Sequence, residues 1–303
     1  MRPHLCFGFC SLLFFGLLIV PSTSSAEMNT GGQQNAADMR DLRHQDPQWE
    51  AVRLHLPDPA TATAQQLETV GDVLRARRFP EDAIDYYTYA LQHGGDEVTL
   101  MNKLGVAQLD LRHTAAARAY FSRAVKLQKK DSVAWNNLGA VEYIDGRFGT
   151  AISNYKNAIK LNKNSAIYHS NLATAYFEQK DYKHARDQFK MALKIDPDVG
   201  HHDGVGGLTA HMVSPEDHAR YCFEMARLYA DLGDEANMFN YLQKASEAGF
   251  DVLAEMHDAE LGKYRKDPRV LVMVENAKAL RTGTTSVKSA RTEVPPLPPL
   301  QKN

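Results

Sequence analysis

The chain is poor in cysteine. Three occur in 303 residues, and Cys6 and Cys10 fall in an apolar N-terminal stretch that leaves Cys222 alone in the remainder. One thiol excludes an internal disulfide there. An excess of charge of one sign is missing too. Lys and Arg number 35 against 37 Asp and Glu, a formal charge of −2, so no global field points to nucleic acid or a membrane surface. No Gly-rich phosphate loop, G-x-S-x-G, H-E-x-x-H or C-x-x-C occurs, so no sequence motif argues for an enzyme. Cys222 is the one candidate nucleophile, and it falls in an apolar column, which predicts a buried structural thiol. No catalytic residue, cofactor or metal ligand is assigned.

The N-terminus differs from the rest. Arg2 and His4 give a weak basic start, Leu5 to Val20 is almost wholly apolar, and "PSTSSA" sets small Ser24 and Ala26 before a cleavage point. Residues 1–26 are expected to be a signal peptide, and the mature protein periplasmic or secreted. The alternative is an uncleaved membrane anchor, but 16 apolar residues fall short of the roughly 20 that a span needs. Membrane contact is expected only in that case.

What the chain has in abundance is a repeat. A small residue recurs at Gly71, Gly105, Gly139 and Ala173, each 34 positions after the last. At the same interval come Ala83, Ala117, Ala151 and Ala185, then the rings Tyr87, Phe121, Tyr155 and Phe189, then Ala90, Ala124, Ala158 and Ala192. A fixed period of this length means stacked supersecondary units, since one unit cannot bury its apolar face alone. Small Gly139 and Ala151 are expected to let two helices approach closely, and Tyr155 to fill the space between one pair and the next. Gly146 is expected to end the first helix.

The stretch "WNNLGAVEYIDGRFGTAISNYKNAI", Trp135 to Ile159, resembles the tetratricopeptide repeat, TPR. The copies are 64–97, 98–131, 132–165 and 166–199; the first two are looser, with Leu67 and Met101 in place of the aromatic. A degenerate fifth copy and a C-terminal cap occupy 219–283, with Ala226, Tyr229, Gly233 and Ala245 on pattern and Met238 replacing an alanine. A last helix is predicted from Asp267-Pro268 to about Arg281. The resemblance implies an all-α, right-handed helix-pair solenoid, a TPR-like superhelix with C-terminal capping helices.

The remaining segments are an N-terminal arm at 27–63, a loop and helix start at 200–218, and a Pro-rich tail at 284–303. The arm could hold a short helix capping the first repeat through Trp49. The tail, ending in "VPPLPPL", is expected to be disordered. The loop carries four glycines and His201, His202, Asp203, His211 and His218, whose spacing matches no standard zinc motif. Ser214 and Pro215 read as the start of a helix longer than its counterparts.

The resemblance implies a partner rather than a reaction: a scaffold that binds a protein or peptide in the concave groove, lined by the first helix of each pair. The groove residues expected to bind are Asn102, Lys103, Asn136, Asn137, Tyr143, Ser170, Asn171 and Phe177. An asparagine amide both donates and accepts, which suits the backbone of an extended peptide. Glu68, Asp72, Val106 and Val133 occupy the positions of the family's carboxylate clamp, and two acids with two valines exclude it. No nucleic acid is expected. Two alternatives stay open: an exported metal-dependent enzyme using the histidine loop, and a polyanion binder. Residues 98–199 hold 16 basic and 9 acidic residues, a balance of +7, with Lys126, Lys160 and Lys194 in one column and Arg118, Arg186, Lys156 and Lys190 in register nearby. These are expected on the convex back.

The signal reading predicts that the exported protein begins at Glu27. N-terminal sequencing checks it, and an intact Met1 in a membrane fraction would establish the anchor instead.

Overall fold

The computed structural model describes residues 39–199 and 215–282. The signal segment, the histidines of the loop before residue 215, Ser214 and the Pro-rich tail lie outside the described residues. The chain forms two compact units, divided after Pro57. In the first, residues 39–43 are helical and α1 spans Pro47–Arg53, the short helix expected in the arm. Asp46 caps it by accepting the Gln48 N–H at 2.8 Å, Pro47 opens it, and the Trp49 ring stacks on His44 at 3.7 Å.

The second unit is helical throughout its regular structure among the described residues. Its pairs are α2 (Ala64–Ala76) with α3 (Pro80–Gln92), α4 (Glu97–Asp110) with α5 (Thr114–Leu127), and α6 (Ser132–Ile144) with α7 (Phe148–Leu161). Next come α8 (Ala166–Glu178) with α9 (Tyr182–Ile195), then α10 (Pro215–Leu232) with α11 (Glu235–Glu247). Each pair packs on the next, so the fold is an all-α helix-pair solenoid. As expected, α10 is longer than the other first helices, at 18 residues against 13 or 14.

The 34-residue spacing has a direct steric cause. A Cβ placed on Gly71 would lie 2.4 Å from the Tyr87 ring, on Gly105 2.4 Å from Phe121, and on Gly139 2.7 Å from Tyr155. No carbon fits at such distances, so the glycine is small because the ring of its own pair sits against it. The same ring also fills the space between pairs, as its spacing predicts. Tyr155 packs with Leu172 and Ala175 of the following pair, and Phe121 with Val141. Where the small residue is alanine, the ring gives way. Ala173 faces a copy whose ring, Phe189, is only partly buried, and in copy five Ala226 is matched by Leu242 in place of a ring.

The turn inside each pair is a second repeated device. Arg78, Arg112, Gly146, Lys180 and Gly233 all have positive φ, between 61° and 76°. In each case the next residue's N–H bonds back five positions around the helix end, as in Arg147 to the Glu142 carbonyl at 2.8 Å and Asp181 to the Tyr176 carbonyl at 3.0 Å. This closes the C-terminus in the αL manner that glycine adopts without strain. The first helices are capped at their N-termini by Thr63, Asp96, Asp131 and Ser165, each accepting a backbone N–H.

Copy one differs from its successors on one face. Gln66 is exposed where copy two has the buried Leu100 and copy four the buried Tyr168. Val73 is exposed where Ala107, Val141 and Ala175 are buried in copies two to four. The later copies use these positions to pack on a predecessor, and among the described residues no earlier repeat covers them in copy one. At the other end α12 (Val252–Glu255), a 3-10 turn (Gly262–Tyr264) and α13 (Pro268–Thr282) follow α11, and α13 packs on it. Phe223, Met238, Leu242, Met256, Leu261 and Val270 are buried together there. The α12 segment and the 3-10 turn have no counterpart in the sequence reading, because elements of three or four residues carry no periodicity.

Two substitutions test this account. Gly139→Ala should cost about 1–3 kcal/mol, because the Tyr155 ring must shift. Lys180→Gly should instead stabilise the protein by up to about 1 kcal/mol, by relieving a side chain at positive φ. Urea unfolding of each variant reads the sign directly.

Candidate functional site

Successive first helices touch one another as well as their partners. Helix α4 meets α6 and α6 meets α8, while Lys103 ties α4 back to α2, so the four form a continuous inner wall. A cleft of about 550 Å³ opens on this wall across the first three copies. Lys103 and Asn137 line it, with Asp72, Asp96, Asp131 and Val133.

Lys103 reaches back across the junction with copy one. Its Nζ lies 2.7 Å from Glu68 and 2.6 Å from Asp72, and 5.9 Å from the centre of the Tyr87 ring. Burial alone would lower its pKa, but the two carboxylates outweigh that and hold it above the usual lysine range. Tyr87 donates its hydroxyl to Asp72 at 2.8 Å, and burial followed by that carboxylate pushes its phenol well up. Arg75, the other cation of the cleft, is paired with Asp110 at 2.7 Å.

The asparagines form a ladder through the stack. Asn171 donates to the Asn136 side-chain carbonyl at 2.9 Å, Asn137 to that of Asn102 at 3.3 Å, and Asn102 to Asp131 at 2.9 Å and the Val98 carbonyl at 3.2 Å. Asn102, Asn136 and Asn171 are buried, so the expectation that they present free amides to a partner is corrected. Buried amides must be paired, and across repeat junctions Asn171 is paired with Asn136 and Asn102 with Asn137. Phe177 is corrected likewise: it is 3 % exposed and packs against Tyr182 and Tyr221. Tyr143 is half-buried and donates to Glu178 at 3.0 Å; burial, with the Glu178 charge next, pushes its phenol up. Ser170 is partly exposed, and its carbonyl accepts from the Thr174 hydroxyl at 3.0 Å. Of the eight groove residues, Lys103, Asn137 and the paired Asn102 are brought to the cleft.

The carboxylates of the cleft are not among those eight. In sequence, Asp72, Val106 and Val133 read only as a failed carboxylate clamp, yet all three line the cleft and Glu68 holds its lysine. Asp96 and Asp131 are legible as helix N-caps, each just before a first helix, and a cap at the mouth of each inner-wall helix is the signal that could have found them.

The basic column divides in two. Lys126, Lys160 and Lys194 are exposed as expected. The others are used internally: Arg118 pairs with Glu142 at 3.1 Å and also with Asp145, Arg186 with Glu224 and Lys190 with Asp231, while Lys156 lies 5.4 Å from the centre of the Tyr176 ring. These contacts tie each repeat to the next. Cys222 is 1 % exposed, and burial pushes its thiol up to about 11, which makes it a poor nucleophile. No group of three or more potential ligands suited to a metal occurs among the described residues.

Five stacked helix pairs with a polar cleft on the inner wall define a helix-pair repeat protein. The tetratricopeptide repeat pattern matches residues 71–132, 102–153, 131–198 and 219–248, together just over half of the chain, and the chain belongs to that family. No curated protein matches it. Among solved structures it is similar to MamA from Desulfovibrio magneticus RS-1, at 17% identity and TM-score 0.43 over 61% of this chain and 94% of that one. It is similar to YrrB, a TPR protein with an unusual peptide-binding site, at 17% identity and TM-score 0.41 over 61% and 86%. PilF of Pseudomonas aeruginosa aligns at 16% identity and TM-score 0.46 over 79% and 92%.

The ladder makes a prediction about stability. Asn171→Ala removes a buried donor and leaves the Asn136 carbonyl unsatisfied, which should cost about 1–3 kcal/mol. Asn137→Ala, at a partly exposed position where water can replace the amide, should cost under about 1 kcal/mol. Paired thermal melts of the two variants check the difference.

Proposed function

We propose that this protein is a non-catalytic scaffold that holds a segment of another protein, in extended conformation, along the inner wall of its repeat stack. The observation that carries the reading is the cleft across copies one to three, an open hollow of mixed polarity on the inner wall. Val98, Val106 and Val133 offer apolar contact, and Asn137 and Thr99 offer hydrogen bonds at the edge. Membership of the tetratricopeptide repeat family supports a binding role rather than a reaction.

We also propose that the protein works outside the cytoplasm, in a periplasm or beyond. The support is the composition of the first 26 residues: an apolar run ending in small residues at Ser24 and Ala26.

The competing reading is a polyanion binder. Lys126, Lys160 and Lys194 are exposed, and among the described residues none of the three has a carboxylate within ion-pair distance. One experiment separates the two. Val133 is 48% exposed at the cleft, so Val133→Trp fills the cleft from the surface without disturbing the core. The variant should capture its protein partner about tenfold more weakly, a loss of roughly 1.4 kcal/mol. Lys126→Glu with Lys160→Glu should leave capture unchanged. The reverse pattern, with steep salt dependence, would establish the polyanion reading.

A further inference from the structure

The charge pattern of the cleft specifies the kind of segment it takes, an inference that rests on the groove reading above. We propose that the cleft selects an extended segment carrying lysine or arginine side chains, whose cationic ends are received by Asp96 and Asp131.

Three observations converge on this. The first is the charge balance. The cleft's ionisable residues and their ion-pair partners comprise five carboxylates, Glu68, Asp72, Asp96, Asp110 and Asp131, against two cations, Arg75 and Lys103, a net −3. Residues 98–199 carry +7, whereas copy one, residues 64–97, holds 7 acidic against 3 basic residues, so the cleft opens where an acidic repeat meets a basic stack. A cationic segment is therefore attracted to the cleft, on the acidic side that copy one supplies.

The second is an internal example of the same recognition. Lys103 seats its ammonium between two carboxylates and over an aromatic ring, in the inner-wall column that holds Asn137 and Asn171 in the next two copies. The chain's own lysine thus shows that this wall accommodates an ammonium. Both cations of the cleft are taken up in this way, by Glu68, Asp72 and Asp110. Asp96 and Asp131 accept N–H groups, from Thr99 at 2.8 Å and from Val133 and Asn102 at 2.9 Å, but among the described residues neither has a cation within ion-pair distance.

The third is the apolar lining. Val98, Val106 and Val133 lie in the same cleft as these two carboxylates. A lysine or arginine stem can lie on such a surface while its charged end reaches a carboxylate. A short aspartate or glutamate side chain would bring like charge to the same place.

The test uses the full chain and three labelled octapeptides that differ at two positions: GSKSKSGS, GSQSQSGS and GSESESGS. Fluorescence anisotropy should show the lysine peptide binding about tenfold more tightly than the glutamine peptide, as two partly exposed ion pairs would give, and the glutamate peptide weakest. Raising the salt should erase the order. Asp96→Asn with Asp131→Asn should bring the lysine peptide to within about twofold of the glutamine peptide. Asparagine caps a helix as well as aspartate does, but at 131 it keeps one acceptor for the two N–H groups of Val133 and Asn102, so the melting point should fall slightly, and a cooperative melt well above the assay temperature excludes misfolding as the cause. Equal binding of all three peptides, or a preference for glutamate, overturns the inference and leaves the groove reading in place. Binding of none of them also overturns it, and the groove reading is then judged separately by the effect of Val133→Trp on partner capture.

Discussion

The stack depends on an aromatic ring packed against a bare glycine. Tyr87, Phe121 and Tyr155 reach across their own pairs to a residue that has no room even for a methyl group. Phe121 and Tyr155 also meet the following pair, so one side chain sets both the separation within a repeat and the seat of the next. Close packing leaves little freedom at such a point, because an added carbon must be accommodated by moving something already in contact. The fourth and fifth copies show the accommodation: alanine enters, and the ring either loses burial or is replaced by leucine.

Because the rings and small residues fix the geometry, polar residues elsewhere are free to differ from copy to copy, and they do so by junction. The column that holds asparagine in copies three and four holds lysine in copy two, where copy one supplies two acids to receive it. Arginines that look like a surface stripe in sequence reach instead to carboxylates of a neighbouring repeat. The cleft therefore results from local charge choices on a uniform scaffold.

The repeat, its register and its turns were legible because each rests on a contact recurring at fixed sequence distance. Gly139 and Tyr155 announce one another. The groove was legible only in outline. Periodicity places Asn102, Asn136 and Asn171 on first helices but does not say whether an amide faces solvent or another amide. That depends on the residue 35 positions away, and here it is an asparagine. Phe177 was misplaced for a related reason: its burial depends on Tyr221, which lies beyond the loop that interrupts the period. Asp96 and Asp131 look like ordinary caps until the third dimension brings both to one cleft.

The junctions between repeats are held by different kinds of force. Copies one and two are joined by Lys103 with its two acids and by Arg75 with Asp110; copies two and three by Arg118 with Glu142 and Asp145; copies four and five by Arg186 with Glu224. Between copies three and four, among the described residues, no ion pair crosses; Asn171, Tyr143 with Glu178 and the Ser132–Tyr168 hydroxyl contact bridge them by hydrogen bonds, beside the Lys156 ammonium near the Tyr176 ring. In a linear array, stability is a sum of units and nearest-neighbour interfaces. Solvent conditions then decide where the array parts. Salt screens the exposed Arg75–Asp110 joint most, the joints at buried Glu142 and Glu224 less, and the amide joint hardly at all, while acid neutralises the carboxylates that the ionic joints require. The weakest link of this chain is thus not a fixed place in the molecule: it moves along the array as the medium changes, with the third and fourth repeats staying together longest where charge is suppressed.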